Sequence, residues 1–364
     1  MSQRFDGGDL ESAREAGVID DATAKKLGDF MRGAGDPGAS YDNENLRFLA
    51  NFNDIFLSIG LLILTLGISL ASGLLFGGTG NALFVAGPVV IALWAMMEYF
   101  AARRRLLLPS MTLATLIVWI SSLLFALMAS GISDVSEPDI NLIEDGLSAI
   151  ENFALFAATG GLLAAIAVFV RFRLPFCFFL MATNAALLVF LGFARMGGDI
   201  GTGIGAVVIL MTGFVTLAFA CWFDMRDPAR TSRTSDIGFW LNFAAAPQII
   251  LGLGFLLETL DMPLREMPGA VIFIAALVPL ALLSLALNRR ALIAASLISF
   301  WIAVTAIVGD TGGDDPITGF VLALLLTGGG VVLISSGWKT ARRMVLSVLP
   351  QGGSAQRLFP PEPA

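Results

Sequence analysis

Few side chains in this sequence could do chemistry. Asn184, Asn242 and Gln248 fall inside long apolar stretches, and Pro247, next to Gln248, must leave one backbone carbonyl without its usual N–H donor. Together they could line a polar crevice for a small neutral solute. Each amide could instead tie two helices together through a hydrogen bond worth about 0.6–2 kcal/mol. Glu98 and Glu258 are the nearest candidates for an acid within the bilayer, and both sit at span ends. There a carboxylate can couple transport to an ion, or it can be solvated or paired with an arginine. Asp310, Asp314 and Asp315 flank Gly312–Gly313 with oxygen-ligand chemistry but not with the spacing of an EF-hand loop, so a solvated anionic surface is expected there. The chain has no histidine, and its lysines (Lys25, Lys26 and Lys339) lie outside the apolar stretches. Histidine-ligated zinc, Ser–His dyads and buried Ser–Lys pairs therefore have no residues to build them. No catalytic residue, metal ligand or cofactor is nominated, and an enzyme is not expected. Cys177 and Cys221 are far apart, each within an apolar stretch, and read as packing residues.

What positions these groups is a set of long apolar segments. The first, Ile55 to Phe76, carries no charge, and its polar members are only Ser, Thr and Gly. As a helix its twenty-two residues would span about 33 Å, close to the hydrocarbon thickness of a bilayer. Apolar residues make up 56% of the chain and charged residues 14%, too much apolar surface for a soluble domain to hide. The predicted fold is an all-α polytopic transmembrane bundle of about ten spans: 55–76, 82–100, 106–131, 152–170, 174–194, 201–223, 237–258, 268–288, 291–309 and 316–338. No early apolar core or cleavage site precedes residue 55, so the first span is expected to act as an uncleaved anchor. The lipid bilayer is the expected partner of residues 55–338. A nucleic-acid partner is not expected of a chain with net charge −7.

Orientation follows from the basic residues. With these spans, all Lys and Arg except Arg195 and Arg265 fall on one side, which predicts both termini in the cytosol. Basic turns at Arg103–Arg105 (RRRLLLPS), Arg171–Arg173 (RFRLPF) and Arg289–Arg290 (NRRALI) join consecutive spans, as in a stack of helical hairpins. The outer connections are acidic. One of them, 132–151, could hold a surface helix with Ile140, Ile143, Leu147 and Ile150 on one face. Small-xxx-small spacing at Ser69/Gly73/Gly77, Ala157/Gly161/Ala165 and Gly201/Gly205 predicts close helix contacts, and Gly328–Gly330 could kink the last span.

Residues 1–40 form a cytosolic helical hairpin and a flexible linker. Residues 9–32 are broken at Gly17 and restarted by an N-cap at Asp20. A hairpin so small has no core of its own, so residues 9–32 are expected to dock on the membrane domain, on a second copy or on a protein partner. Residues 41–54 suit an interfacial lead-in, and 339–364 a basic amphipathic segment with a disordered tail. The turn REAGVIDDATAKKL, the lead-in LRFLANFNDIF, about ten spans with basic turns, and the exit GWKTARRMVLSVLP resemble a family of bacterial inner-membrane proteins filed as a domain of unknown function. The resemblance implies the bacterial inner membrane and no known activity. Two functions follow: a permease or channel-like protein for a small neutral or apolar solute, or a membrane-anchored scaffold or regulator acting through the N-terminal hairpin.

Overall fold

The computed structural model describes residues 52–79, 81–129, 147–196, 203–227, 232–264, 266–287 and 316–348, with scattered positions between 12 and 27. The chain divides into two compact units, residues 1–45 with 361–364, and residues 46–360. In the first unit, Asp20 caps a helix start, its Oδ1 accepting from the Thr23 N–H at 3.2 Å. Hydrogen bonding from Thr23, by its hydroxyl and then by its backbone, holds the Asp20 carboxyl below the usual carboxylate range.

The elements among the second unit's described residues are helices joined by turns. Its helices are α1 (Phe52–Phe76), α2 (Ala82–Met97), α3 (Leu107–Ala129), α4 (Leu147–Phe172), α5 (Cys177–Arg195), α6 (Gly203–Arg226), α7 (Arg233–Thr259), α8 (Met267–Leu287) and α9 (Pro316–Val348). Among the described residues, eight helices, α1 to α8, are long and apolar enough to cross a membrane, which makes this a multi-pass integral membrane protein. They correspond to the first eight predicted spans. The count of about ten is not reached, because the predicted span 291–309 lies outside the described residues. The predicted span 316–338 lies within α9, which runs unbroken through Gly328–Gly330 and on through the basic segment to Val348. Residues 41–51, the first part of the 132–151 connection and Asp310, Asp314 and Asp315 also lie outside them.

Local chemistry explains the ends and turns. Asn81 caps α2, its Oδ1 accepting from the Leu83 N–H at 2.9 Å. After Met97 the helix widens into a π-turn over Glu98–Arg103, and the chain then enters α3 through Arg105 at φ 55°. The α4–α5 turn repeats that device, with Arg173 also at φ 55°. Within the helices, hydroxyls donate back to carbonyls four residues earlier, as Thr65 does to Leu61 and Ser69 to Thr65, so they need no water. Leu62, Ile63, Leu66, Leu70 and Leu74 of α1 stay exposed, as a lipid-facing surface requires.

Consecutive helices pack as neighbours, α3 also touches α1, and α7 also touches α5. One core joins α2 to α5 around Leu93, Met97, Leu113, Ile117, Val168 and Cys177. A second joins α6, α7 and α8 around Leu217, Ala245, Ile249, Phe273 and Leu277. Helix α7 is the most enclosed, because Ala244, Ala245 and Ala246 present a small, buried surface to its neighbours.

Candidate functional site

The polar residues singled out from the sequence are placed at three separate stations. At the first, Gln248 of α7 is buried between α5 and α6. Its Oε1 lies 3.0 Å from the Thr216 hydroxyl, which is also 2.8 Å from the Thr212 carbonyl and shares its proton between the two. The Gln248 Nε2 points at the Ala182 carbonyl of α5, 3.5 Å away. One amide thus ties three helices, and Pro247 precedes it inside an uninterrupted α7.

The second station lies about one and two-thirds turns earlier on α7. Asn242 is fully buried, its Nδ2 donating to the Gly238 carbonyl at 2.9 Å and to Asp224 Oδ2 of α6 at 3.2 Å. Its Oδ1 is buried without a hydrogen-bond partner. Asp224 is itself buried, and its carboxylate occupies the space where a Cβ on Gly238 would stand. A buried carboxylate is expensive unless it is hydrogen-bonded or paired, and here the Asn242 amide donates to it.

At the third station Asn184 turns the other way. Its Nδ2 donates to the Leu180 carbonyl of its own helix at 2.8 Å. Its Oδ1 lies against Gly161 of α4, beside the Ser122 hydroxyl of α3, where any Cβ on that glycine would collide. Asn184, Asn242 and Gln248 therefore hydrogen-bond to separate sets of partners and not to one another.

The carboxylates at the segment ends also part. Glu98, in the first turn of the π-segment, forms an ion pair with Arg171 at the end of α4, and its other oxygen is buried without a hydrogen-bond partner. The arginine paired with it comes from the end of a helix remote in sequence rather than from the adjacent Arg103–Arg105. Glu258 is exposed in the last turn of α7.

A groove of about 610 Å³ lies between α5 and α6. Ala182, Ala185 and Val189 form one wall and Val207, Met211 and Val215 the other, with Leu162 and Leu241 behind. Val189, Val207, Met211 and Val215 are exposed, so the groove opens sideways between the two helices. Its polar lining comes from Thr212 and Thr216, whose hydroxyls already donate to the Ile209 and Thr212 carbonyls. Among the described residues no group of three or more His, Cys, Asp or Glu stands close enough to hold a metal ion.

Sequence reasoning missed Asp224. It ended the sixth span at Phe223, the last uncharged residue, whereas α6 continues through Arg226 and α7 begins at Arg233. The available signal was the i, i+4 pair Gly238 and Asn242 beyond it, a small residue and an amide on one helical face. No protein-family model matches the chain, and no curated protein or solved structure matches it.

Proposed function

We propose that this membrane protein is permease-like and handles a small apolar solute, taken sideways from the hydrocarbon layer into the groove between α5 and α6. The observation that carries the reading is the chemistry of that groove. Its volume of about 610 Å³ suits a small ligand, and its two hydroxyls are already engaged within α6. A hydrated solute would shed water there and find nothing to replace it, whereas a hydrocarbon chain would lose nothing. Of the neutral and apolar solutes that the sequence allows, the apolar class is favoured, because none of Asn184, Asn242 and Gln248 is among the residues that line the groove. The membrane implied by the resemblance is the bacterial inner membrane.

The test fills the groove. In proteoliposomes, a diazirine-bearing alkane should label the α6 wall around Val208 and Met211. Ala185→Trp should abolish that labelling and any flux of a short alkyl probe, while Asn184→Leu should leave both in place. Labelling that persists unchanged in Ala185→Trp would refute the reading.

The scaffold reading keeps one observation in its favour: residues 1–45 belong to a compact unit separate from residues 46–360. Deleting residues 1–40 should then release a co-purifying protein without changing alkane labelling.

A further inference from the structure

A second cavity, of about 430 Å³, lies where three turns meet at one end of the bundle. The α2–α3 turn gives it Arg105, the end of α4 Arg171, the α4–α5 turn Arg173, and the start of α7 Arg233 and Asp236. These turns are remote in sequence, so the gathering of their arginines is a property of the fold. Setting Glu98 against Arg171, and Asp236 against one of the others, still leaves an excess of two positive charges. Among the described residues Arg105, Arg173 and Arg233 have no ion-pair partner. Two of the arginines, Arg105 and Arg173, hold left-handed backbone at φ 55°, a conformation that non-glycine residues rarely adopt. Backbone strain of that kind persists where surrounding structure imposes it and clusters at ligand clamps.

We infer that the cavity lined by Arg105, Arg171, Arg173 and Arg233 binds the phosphate of an anionic phospholipid headgroup. Guanidinium forks match phosphate oxygens in pairs, and basic pockets between transmembrane helices at the membrane surface are suited to such headgroups. The arginines sit at the ends of α2, α4 and α7, each a candidate span, and so at headgroup depth. The rest of the lining decides between a lipid and a free anion. Leu106, Leu107, Phe172 and Leu174 put apolar surface beside the charges, which suits a phosphate carrying acyl chains better than a fully hydrated ion. This inference is independent of the groove between α5 and α6.

The experiment measures thermal unfolding of the detergent-solubilised full chain with added phosphatidylglycerol, phosphatidylcholine or inorganic phosphate. Phosphatidylglycerol should raise the midpoint and phosphatidylcholine should not. The triple variant Arg105→Gln, Arg173→Gln, Arg233→Gln should bind phosphatidylglycerol on the order of 100-fold more weakly, from roughly a fivefold loss for each arginine. Arg105→Lys, Arg173→Lys, Arg233→Lys, which keeps the charge but loses the paired contacts, should bind more tightly than the glutamine variant and less tightly than wild type, and so separates lost binding from misfolding. Arg195→Gln, at the opposite end of α5, should behave as wild type. Equal shifts with both lipids, or an undiminished phosphatidylglycerol shift in the glutamine variant, would overturn the inference. Inorganic phosphate matching phosphatidylglycerol at equal concentration would overturn the lipid assignment in favour of a soluble phosphate ligand.

Discussion

A buried carboxylate next to a glycine constrains both positions. Asp224 keeps its place because Gly238 has no side chain and because the Asn242 amide donates to it. Gly238→Ala would drive a methyl group into that carboxylate, and helix α7 cannot retreat without disturbing its other buried contacts. The expected loss is about 1–3 kcal/mol, typical of overpacking. Asn242→Leu should cost a similar amount, because it removes a donor from a buried charge. Gly67→Ala on α1 meets nothing within 4 Å and should leave the unfolding midpoint unchanged. Midpoints of the three variants in one detergent check the argument, and a neutral Gly238→Ala would show that Asp224 is free to move. The unpartnered Asn242 Oδ1 gives this station a polar atom that packing alone does not explain.

Helices α6 and α7 form a closely packed pair because glycine stands at their points of contact. A Cβ on Gly252 would lie 2.7 Å from the Leu210 Cα, and one on Gly213 would lie 2.8 Å from the Ile249 nitrogen. Backbone cannot yield as a side-chain tip can, so Gly252→Leu should destabilise by more than the roughly 1–3 kcal/mol of ordinary overpacking and broaden the unfolding transition. Gly73→Leu, where nothing lies within 4 Å, should be neutral by the same measurement. This contrast also shows what the sequence could convey. Small-residue spacing found a real contact at Gly161 and Ala165, but it also marked Gly73 and Gly77, which meet nothing, and it passed over Gly213, Gly238 and Gly252. Spacing gives the face of one helix, not the neighbour that covers it. Helix existence was legible because a bilayer demands about twenty apolar residues, and α1 to α8 match the predicted segments to within a few residues. Helix ends were less legible where charge enters a buried turn, as at Asp224, because a rule that stops at the first charge cannot know that its partner waits on the next helix.

At the scale of the whole molecule, the cavity shared by Arg105, Arg173 and Arg233 puts three turns at one end of the bundle. Alternating spans demand that arrangement: the α2–α3, α4–α5 and α6–α7 turns must share a side, and the α1–α2 and α7–α8 turns must face the other. The arginines follow the first set, and the positive-inside rule predicts that this side faces the cytosol. Accessibility mapping tests both the sidedness and the orientation. Cys177 is buried and Cys221 partly so, and both can be replaced by alanine to leave a background without thiols. Single cysteines at Arg104 and Ser232 should then be blocked only by reagents that reach the cytosol. Cysteines at Gly78 and Leu260 should react with impermeant maleimide added outside intact cells. Arg104 and Ser232 labelled from outside would reverse the orientation while leaving the fold intact. Arg104 and Ser232 labelled from opposite sides would break the alternation itself, and the shared arginine cavity with it.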